Sequence, residues 1–123
     1  MNDKIIKLEP ENYFKCSNIW YMDKSPARTK YWFDDMLSGN RIIFVYVEEG
    51  EYIGEGSLVL KRDGDPDYTI PNQRIYLSRM VVKAECRNQG IGGKMIDFLV
   101  DYAKKQGYTE MSLGVDIINI GAR

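Results

Sequence analysis

The chain has 123 residues, 44% hydrophobic and 28% charged, with 11 Gly and 4 Pro. These are the proportions of one globular domain over residues 1–123, not of a disordered, collagen-like or low-complexity chain. Lys plus Arg number 17 against 18 Asp plus Glu, a net charge of −1, so no global positive field exists to hold a nucleic acid by counterion release.

No apolar run reaches the roughly 20 residues that span a bilayer, and Met1-Asn2-Asp3-Lys4 lacks a signal peptide's apolar stretch. The expectation is a cytoplasmic protein with neither membrane nor nucleic acid as partner. Cys16 and Cys86 form no CxxC pair and read as reduced thiols, and the chain has no His. A metal site is therefore not expected. A Ser/His/Asp or Cys/His nucleophile system is excluded, so proton transfer falls to carboxylate, Tyr, Lys, Cys or water.

Ile5, Ile6 and Leu8 predict a first strand that stops at Pro10. Tyr13, Phe14, Ile19 and Trp20 recur at loosely helical spacing between Glu11 and Met22. Ser25-Pro26 then opens a second helix that runs to about Ser38, before Gly39-Asn40. The dense run from Arg41 to Glu48 and the segment Tyr52 to Leu60, separated by Glu49-Gly50, predict a hairpin. Lys61 to Gln73 is rich in turn formers and reads as a surface flap. Asp63, Asp65 and Asp67 alternate within it like calcium ligands, but Pro66 and the lack of a closing Glu spoil that reading.

Arg74 to Lys83 returns to strand, with Ser78 and Arg79 expected on alternate faces. After Gly93, Met95, Ile96, Leu99, Val100 and Ala103 mark one face of a helix that ends at Gly107. Tyr108 to Val115 predicts a strand parallel to the one before the helix. Asp116 to Arg123 begins a further element, read as a helix capped near Asn119.

The turn Arg87-Asn88-Gln89-Gly90-Ile91-Gly92-Gly93-Lys94 joins that strand to that helix, a place where free helix amides and flexible glycines hold phosphate. A P-loop would require Gly at 88 and Ser or Thr at 95, where Asn88 and Met95 stand. A dinucleotide fingerprint would also require Gly at 95. Both fail, which leaves another pyrophosphate loop or a plain tight connection.

Met80-Val81-Val82, then Arg87-x-x-Gly90-x-Gly92, the amphipathic helix and Val115-Asp116-x-x-Asn119-x-x-Ala122 together resemble the acyl-CoA signature of the GNAT superfamily of N-acetyltransferases. The resemblance is strongest from Arg74 to Arg123. It implies an α/β (α+β) fold with a mixed, mostly antiparallel sheet, in the order strand-helix-helix-strand-strand-strand-helix-strand.

It also implies that the amides of Asn88, Gln89, Gly90, Ile91, Gly92 and Gly93 bind the pyrophosphate of acetyl-CoA, helped by Arg87 and Lys94. Met80, Val81 and Val82 would pair with the pantetheine arm and supply an oxyanion donor, and Asn119 would lie near the same arm. The implied chemistry is direct attack of an amine on the thioester, with no covalent enzyme intermediate and an acceptor of unidentified structure.

The family continues past the point matched by Arg123 into a helix, whose Tyr three residues on protonates the thiolate, and two closing strands. The sequence thus reads as C-terminally truncated, with the 108–115 strand left as an exposed edge through which two copies could pair. Family members place a Glu base four residues before the position of Met80; here it is Tyr76. Glu55, in Gly54-Glu55-Gly56-Ser57, is the substitute candidate, directly or through water, or else a structural carboxylate. Trp20, Tyr31, Trp32 and Phe33 are candidates for the acceptor wall or for core. The competing reading is an acyl-CoA-binding or regulatory module without turnover.

Overall fold

The computed structural model describes residues 4–62, 67–114 and 116–121. Strands β1 (Lys4–Lys7), β2 (Arg41–Glu48), β3 (Glu51–Val59), β4 (Arg74–Val82), β5 (Glu110–Leu113) and β6 (Asp116–Asn119) form one six-stranded sheet in sequence order. Neighbours are antiparallel except β4 and β5, which are parallel because helix α2 (Ile91–Lys105) carries the chain back across the sheet. Among the described residues no helix is long and apolar enough to cross a membrane.

Both faces of the sheet are covered, which explains why β2 reads as an unbroken apolar run. Ile43, Val45 and Val47 pack on one side with Leu8, Tyr13, Cys16 and Met36, beneath helix α1 (Pro26–Leu37) and a 3₁₀ segment, Pro10–Asn18. Phe44 and Tyr46 face the other side, where Ile91, Met95, Leu99 and Ala103 of α2 are buried. That helix presents its apolar stripe at the expected spacing, and fully burying a residue such as Leu99 contributes about 1.5–3 kcal/mol. α2 approaches the sheet closely at two glycines. A Cβ on Gly56 would lie 2.7 Å from Leu99 Cδ1, and one on Gly54 2.9 Å from Met95 Sδ.

The hairpin, the strand at 74–83 and the helix after the glycine turn stand as the sequence predicts. Four expectations are corrected. The segment from Glu11 to Met22 forms the tighter 3₁₀ winding of Pro10–Asn18 and Met22–Lys24, led by Pro10, with the apolar residues too irregularly spaced for an α-helical stripe. α2 starts at Ile91, so Gly92 and Gly93 belong to its first turn.

The region after Val115 is strand, not a helix capped near Asn119. β6 pairs with β5 from Glu110↔Asn119 to Leu113↔Asp116, the positive φ of Gly114 (80°) having turned the chain back. β5 is consequently not the exposed edge, a position that passes to β6. Residues 63–66, which include two of the alternating aspartates of the flap, lie outside the described residues.

Two irregularities shape β4. Its pairing with β3 slips between Ser57 and Leu58, leaving Ser78 as the extra residue of a bulge. Its pairing with β5 covers only Arg74, Ile75 and Tyr76, although β4 runs on to Val82. β5 runs only one residue further, to Leu113, before the chain turns back at Gly114, so from Leu77 to Val82 β4 has no pairing with β5.

Candidate functional site

The turn after β4 is built from left-handed residues. Asn88 has φ 66° and Gly90, the N-cap of α2, has φ 79°, conformations that Asn tolerates and Gly adopts without strain. The helical ladder begins with the Lys94 amide donating to the Gly90 carbonyl at 3.1 Å. The amides of Ile91, Gly92 and Gly93 therefore precede it, at the positive end of the helix. A Cβ on Gly92 or Gly93 would meet nothing within 4 Å, so the approach to these amides is open. That arrangement suits a phosphate group.

Side chains around the turn divide by role. Ile91 is in the core with Tyr46, Ile53 and Met95, so its amide alone faces the turn. Arg87 Nε donates to the Val82 carbonyl at 3.0 Å and ties the turn to the end of β4. Arg87, Asn88, Gln89, Gly90 and Lys94 are exposed. Met80 and Val82 pack toward α2, while Val81 lines a cavity of about 420 Å³ with Asn18, Trp20 and Lys83 on the opposite face. The turn and the Met80–Val82 end of β4 are thus brought together. Asn119 is not among them: it pairs with Glu110, which in turn pairs with Arg74, at the end of β4 remote from the turn.

Tyr76 and Glu55 share the α1 face of the sheet but not one spot. Tyr76 pairs with Val59 and Glu55 with Val81, a separation of roughly 13 Å along β3 at about 3.3 Å per residue. Tyr76 lines a cavity of about 470 Å³ with Tyr31, Trp32, Arg41, Arg62 and Ser78. Its ring meets Tyr68 edge-on at 4.7 Å, and the Arg62 guanidinium lies over both rings. Of the aromatic candidates for the acceptor wall, Tyr31 and Trp32 line this cavity, whereas Phe33 packs on the core and against Tyr13.

Glu55 is only 1% exposed. Trp20 Nε1 donates to its Oε1 at 3.1 Å, and Arg79 Nε lies 3.6 Å from its Oε2. Burial pushes the carboxyl above the usual carboxylate range, against the opposing pull of Arg79 and of hydrogen bonds from Cys16 and Trp20. Burial, reinforced by the Glu55 charge, likewise holds the Cys16 thiol protonated. Among the described residues no group of three or more His, Cys, Asp or Glu is placed to hold a metal ion.

The bulge corrects the expectation for Ser78 and Arg79, and their surroundings include Arg41, which sequence reasoning did not single out. Ser78 and Arg79 lie on the same face: Arg41 donates to Ser78 Oγ at 3.2 Å, while Arg79 stacks against Trp20 and Trp32. Arg41 itself is 5% exposed and holds Asp35 at 3.2 Å. Periodicity in the sequence misplaces Arg79, because the bulge breaks the alternation on which strand faces are assigned.

Comparison with known proteins adds to this geometry. Among curated proteins none matches the sequence. Solved structures with the same fold include an N-acetyltransferase from Staphylococcus aureus Mu50, 22% identical, with a TM-score of 0.68 over 90% of this chain and 72% of that one. An aminoglycoside 6'-N-acetyltransferase complexed with coenzyme A is 16% identical, with a TM-score of 0.67 over 88% and 59%. An N-acetyltransferase from Thermoplasma acidophilum in complex with coenzyme A is 18% identical, with a TM-score of 0.63 over 90% and 77%. The chain thus spans between 59 and 77% of the length of these proteins. The model of the acetyltransferase (GNAT) family matches residues 3–123, and the chain belongs to that family.

Proposed function

We propose that the protein is an N-acetyltransferase that moves an acetyl group from acetyl-CoA to a primary amine of a small molecule or peptide, by direct attack in a ternary complex. The observation that carries this reading is the stretch of β4 from Leu77 to Val82 that has no pairing with β5, followed in the chain by the unladdered amides of Ile91, Gly92 and Gly93. The turn would hold the pyrophosphate, with Arg87 and Lys94 adding positive charge, and the backbone of β4 near Met80–Val82, unpaired with β5, would pair with the pantetheine arm once Arg87 leaves the Val82 carbonyl. An amide there would stabilise the oxyanion as the amine nitrogen bonds to the thioester carbon. The carbon–sulfur bond then breaks, the nitrogen loses a proton and the thiolate gains one.

Tyr76 and the 470 Å³ cavity form the acceptor side of this proposal. Glu55, at the level of Val81, is its proton acceptor, reached through water because the carboxyl is 1% exposed. The same enclosure, with Tyr76 where the family places its base, favours a second reading as an acyl-CoA-binding module without turnover. We place the protein in the cytoplasm, with any second copy pairing along the outer side of β6.

The experiment is a calorimetric titration with acetyl-CoA alongside an assay of thiol release, on the wild type and Gly92→Asp. An Asp in the first turn of α2 stabilises the helix by about 0.3–1 kcal/mol but opposes a pyrophosphate. Binding weakened at least tenfold, in a variant no less stable, supports the phosphate site. Thiol release that depends on an amine supports the transferase. Undiminished binding in Gly92→Asp refutes the site, and binding without amine-dependent release favours the module.

A further inference from the structure

Arg79 occupies an unusual place: a guanidinium enclosed by the two sides of the molecule that the proposed reaction must hold in register. Its Cζ lies 4.7 Å from the ring centroids of both Trp20 and Trp32, and those rings meet edge-on at 5.5 Å. Trp20 follows the 3₁₀ segment, and Trp32 is on α1. The third side is Glu55 of β3, which accepts from Trp20 Nε1 and lies 3.6 Å from Arg79 Nε. Arg41 stacks on Trp32 from outside, at 5.2 Å.

The Arg79 side chain is 16% exposed, and its Nε is buried without a hydrogen-bond partner. A buried cation whose donor goes unbonded is costly, so its placement is held by the stack and the ion pair together. The bulge at Ser78 is what aims it, since regular alternation would put Arg79 and Ser78 on opposite faces.

We propose that Arg79 is a positioning residue that clamps the 3₁₀ segment and α1, the acceptor wall, to β4 one residue before Met80. The inference rests on the transferase reading above. The clamp fixes the distance between an amine in the cavity lined by Trp32 and a thioester lying along β4. It acts through Trp20, Trp32 and Glu55 and touches neither substrate. The delocalised charge of a guanidinium serves both rings of this edge-on pair at once, while the compact ammonium of Lys keeps the charge and loses that reach.

Trp20 and Trp32 are the chain's 2 tryptophans, so intrinsic fluorescence reports the clamp directly. The test compares wild type, Arg79→Lys and Trp32→Phe, with n-butylamine, kanamycin A and a short peptide with a free amino terminus as acceptor probes. In Arg79→Lys the expected results are red-shifted emission, easier quenching by acrylamide and acetyl-CoA affinity within about twofold of wild type. The kcat/KM for the amine falls at least about tenfold, as expected when reacting groups are misplaced by a fraction of an ångström to 1 Å. Trp32→Phe, which keeps the Arg79–Glu55 pair, shows the same division between cofactor and acceptor to a smaller degree.

Arg79→Lys with unchanged emission, or with altered emission and wild-type turnover, overturns the inference while leaving the transferase reading intact. Acetyl-CoA affinity lost in step with turnover in both variants overturns it too, since the residue would then be structural. A wild type that binds acetyl-CoA yet acetylates none of the probes counts against both.

Discussion

The closest test of how α2 is seated on the sheet is Gly56→Ala, taken alone and with Leu99→Ala. A Cβ at position 56 would lie 2.7 Å from Leu99 Cδ1, 3.4 Å from Met80 Sδ and 3.7 Å from Leu99 Cγ. Carbon atoms pack at about 3.5–4.0 Å, so the first contact is short by about 1 Å. Leu99 is fully buried in the middle of α2 and yields only by leaving its rotamer or shifting the helix. Overpacking of this kind costs about 1–3 kcal/mol.

Leu99→Ala alone leaves a cavity and costs about 2.7–5 kcal/mol. In that background the clashing Cδ1 is gone, and the new methyl enters the cavity, returning about 0.8 kcal/mol by the usual value per buried methylene. The two changes should therefore couple favourably by about 2–4 kcal/mol, at or above the upper end of what contacting residues show. Urea denaturation of the four members of the cycle measures this. Additivity within about 0.5 kcal/mol would show that α2 is not seated on Gly56. Acetyl-CoA titration of Gly56→Ala adds a functional readout, because the helix that must shift begins at the glycine turn.

Glu55→Gln should lower the turnover number and remove the acid limb of the pH–rate profile. Because burial raises the Glu55 pKa, the wild-type limb lies above the ordinary carboxylate value of about 4.3; an unchanged limb in the variant would remove Glu55 from proton transfer. The same shift bears on stability. Above pH ~4.3 the unfolded chain releases this proton first, so wild-type stability declines by up to about 1.4 kcal/mol per pH unit until the buried carboxyl ionises. Glu55→Gln lacks that decline, as urea denaturation between pH 4 and 8 would register. Light scattering across a range of concentrations tests pairing along β6: mass should rise with concentration, and fall back when Ile117, which is 46% exposed, is replaced by Lys. A mass that stays at the monomer value rules it out.

Much of the proposed cofactor half of the site is legible in the sequence because its determinants are local. Gly90, Gly92 and Gly93 sit within one turn of a helix whose apolar face repeats regularly, and Arg87 closes on the strand it follows. The acceptor half is assembled from residues far apart in the chain, and only contact reveals it. Nothing near Arg79 foretells Trp20 or Trp32, and the bulge that aims it is set by pairing with Ser57 on another strand. The expectation of a helix within Asp116 to Arg123 fails for a related reason. A short segment with no full period has no helical or strand signature of its own, and β6 exists because β5 offers it an edge.

The end of the β4–β5 pairing at Tyr76 has an experimental consequence. Beyond Tyr76, what β4 offers on its β5 side is peptide groups, and a molecule lying there would bond to atoms common to every residue type. Alanine at Leu77, Met80 or Val82 leaves each of those groups in place, so scanning mutagenesis will score the most intimate contacts of that side as silent. The substitutions that reveal them alter the main chain itself: proline, which deletes an amide, or an ester replacing one peptide bond. A map of tolerated side chains across β4 is therefore a map of packing against α1 and α2, and the side of β4 left unpaired by β5 is legible only to a probe that removes a backbone hydrogen.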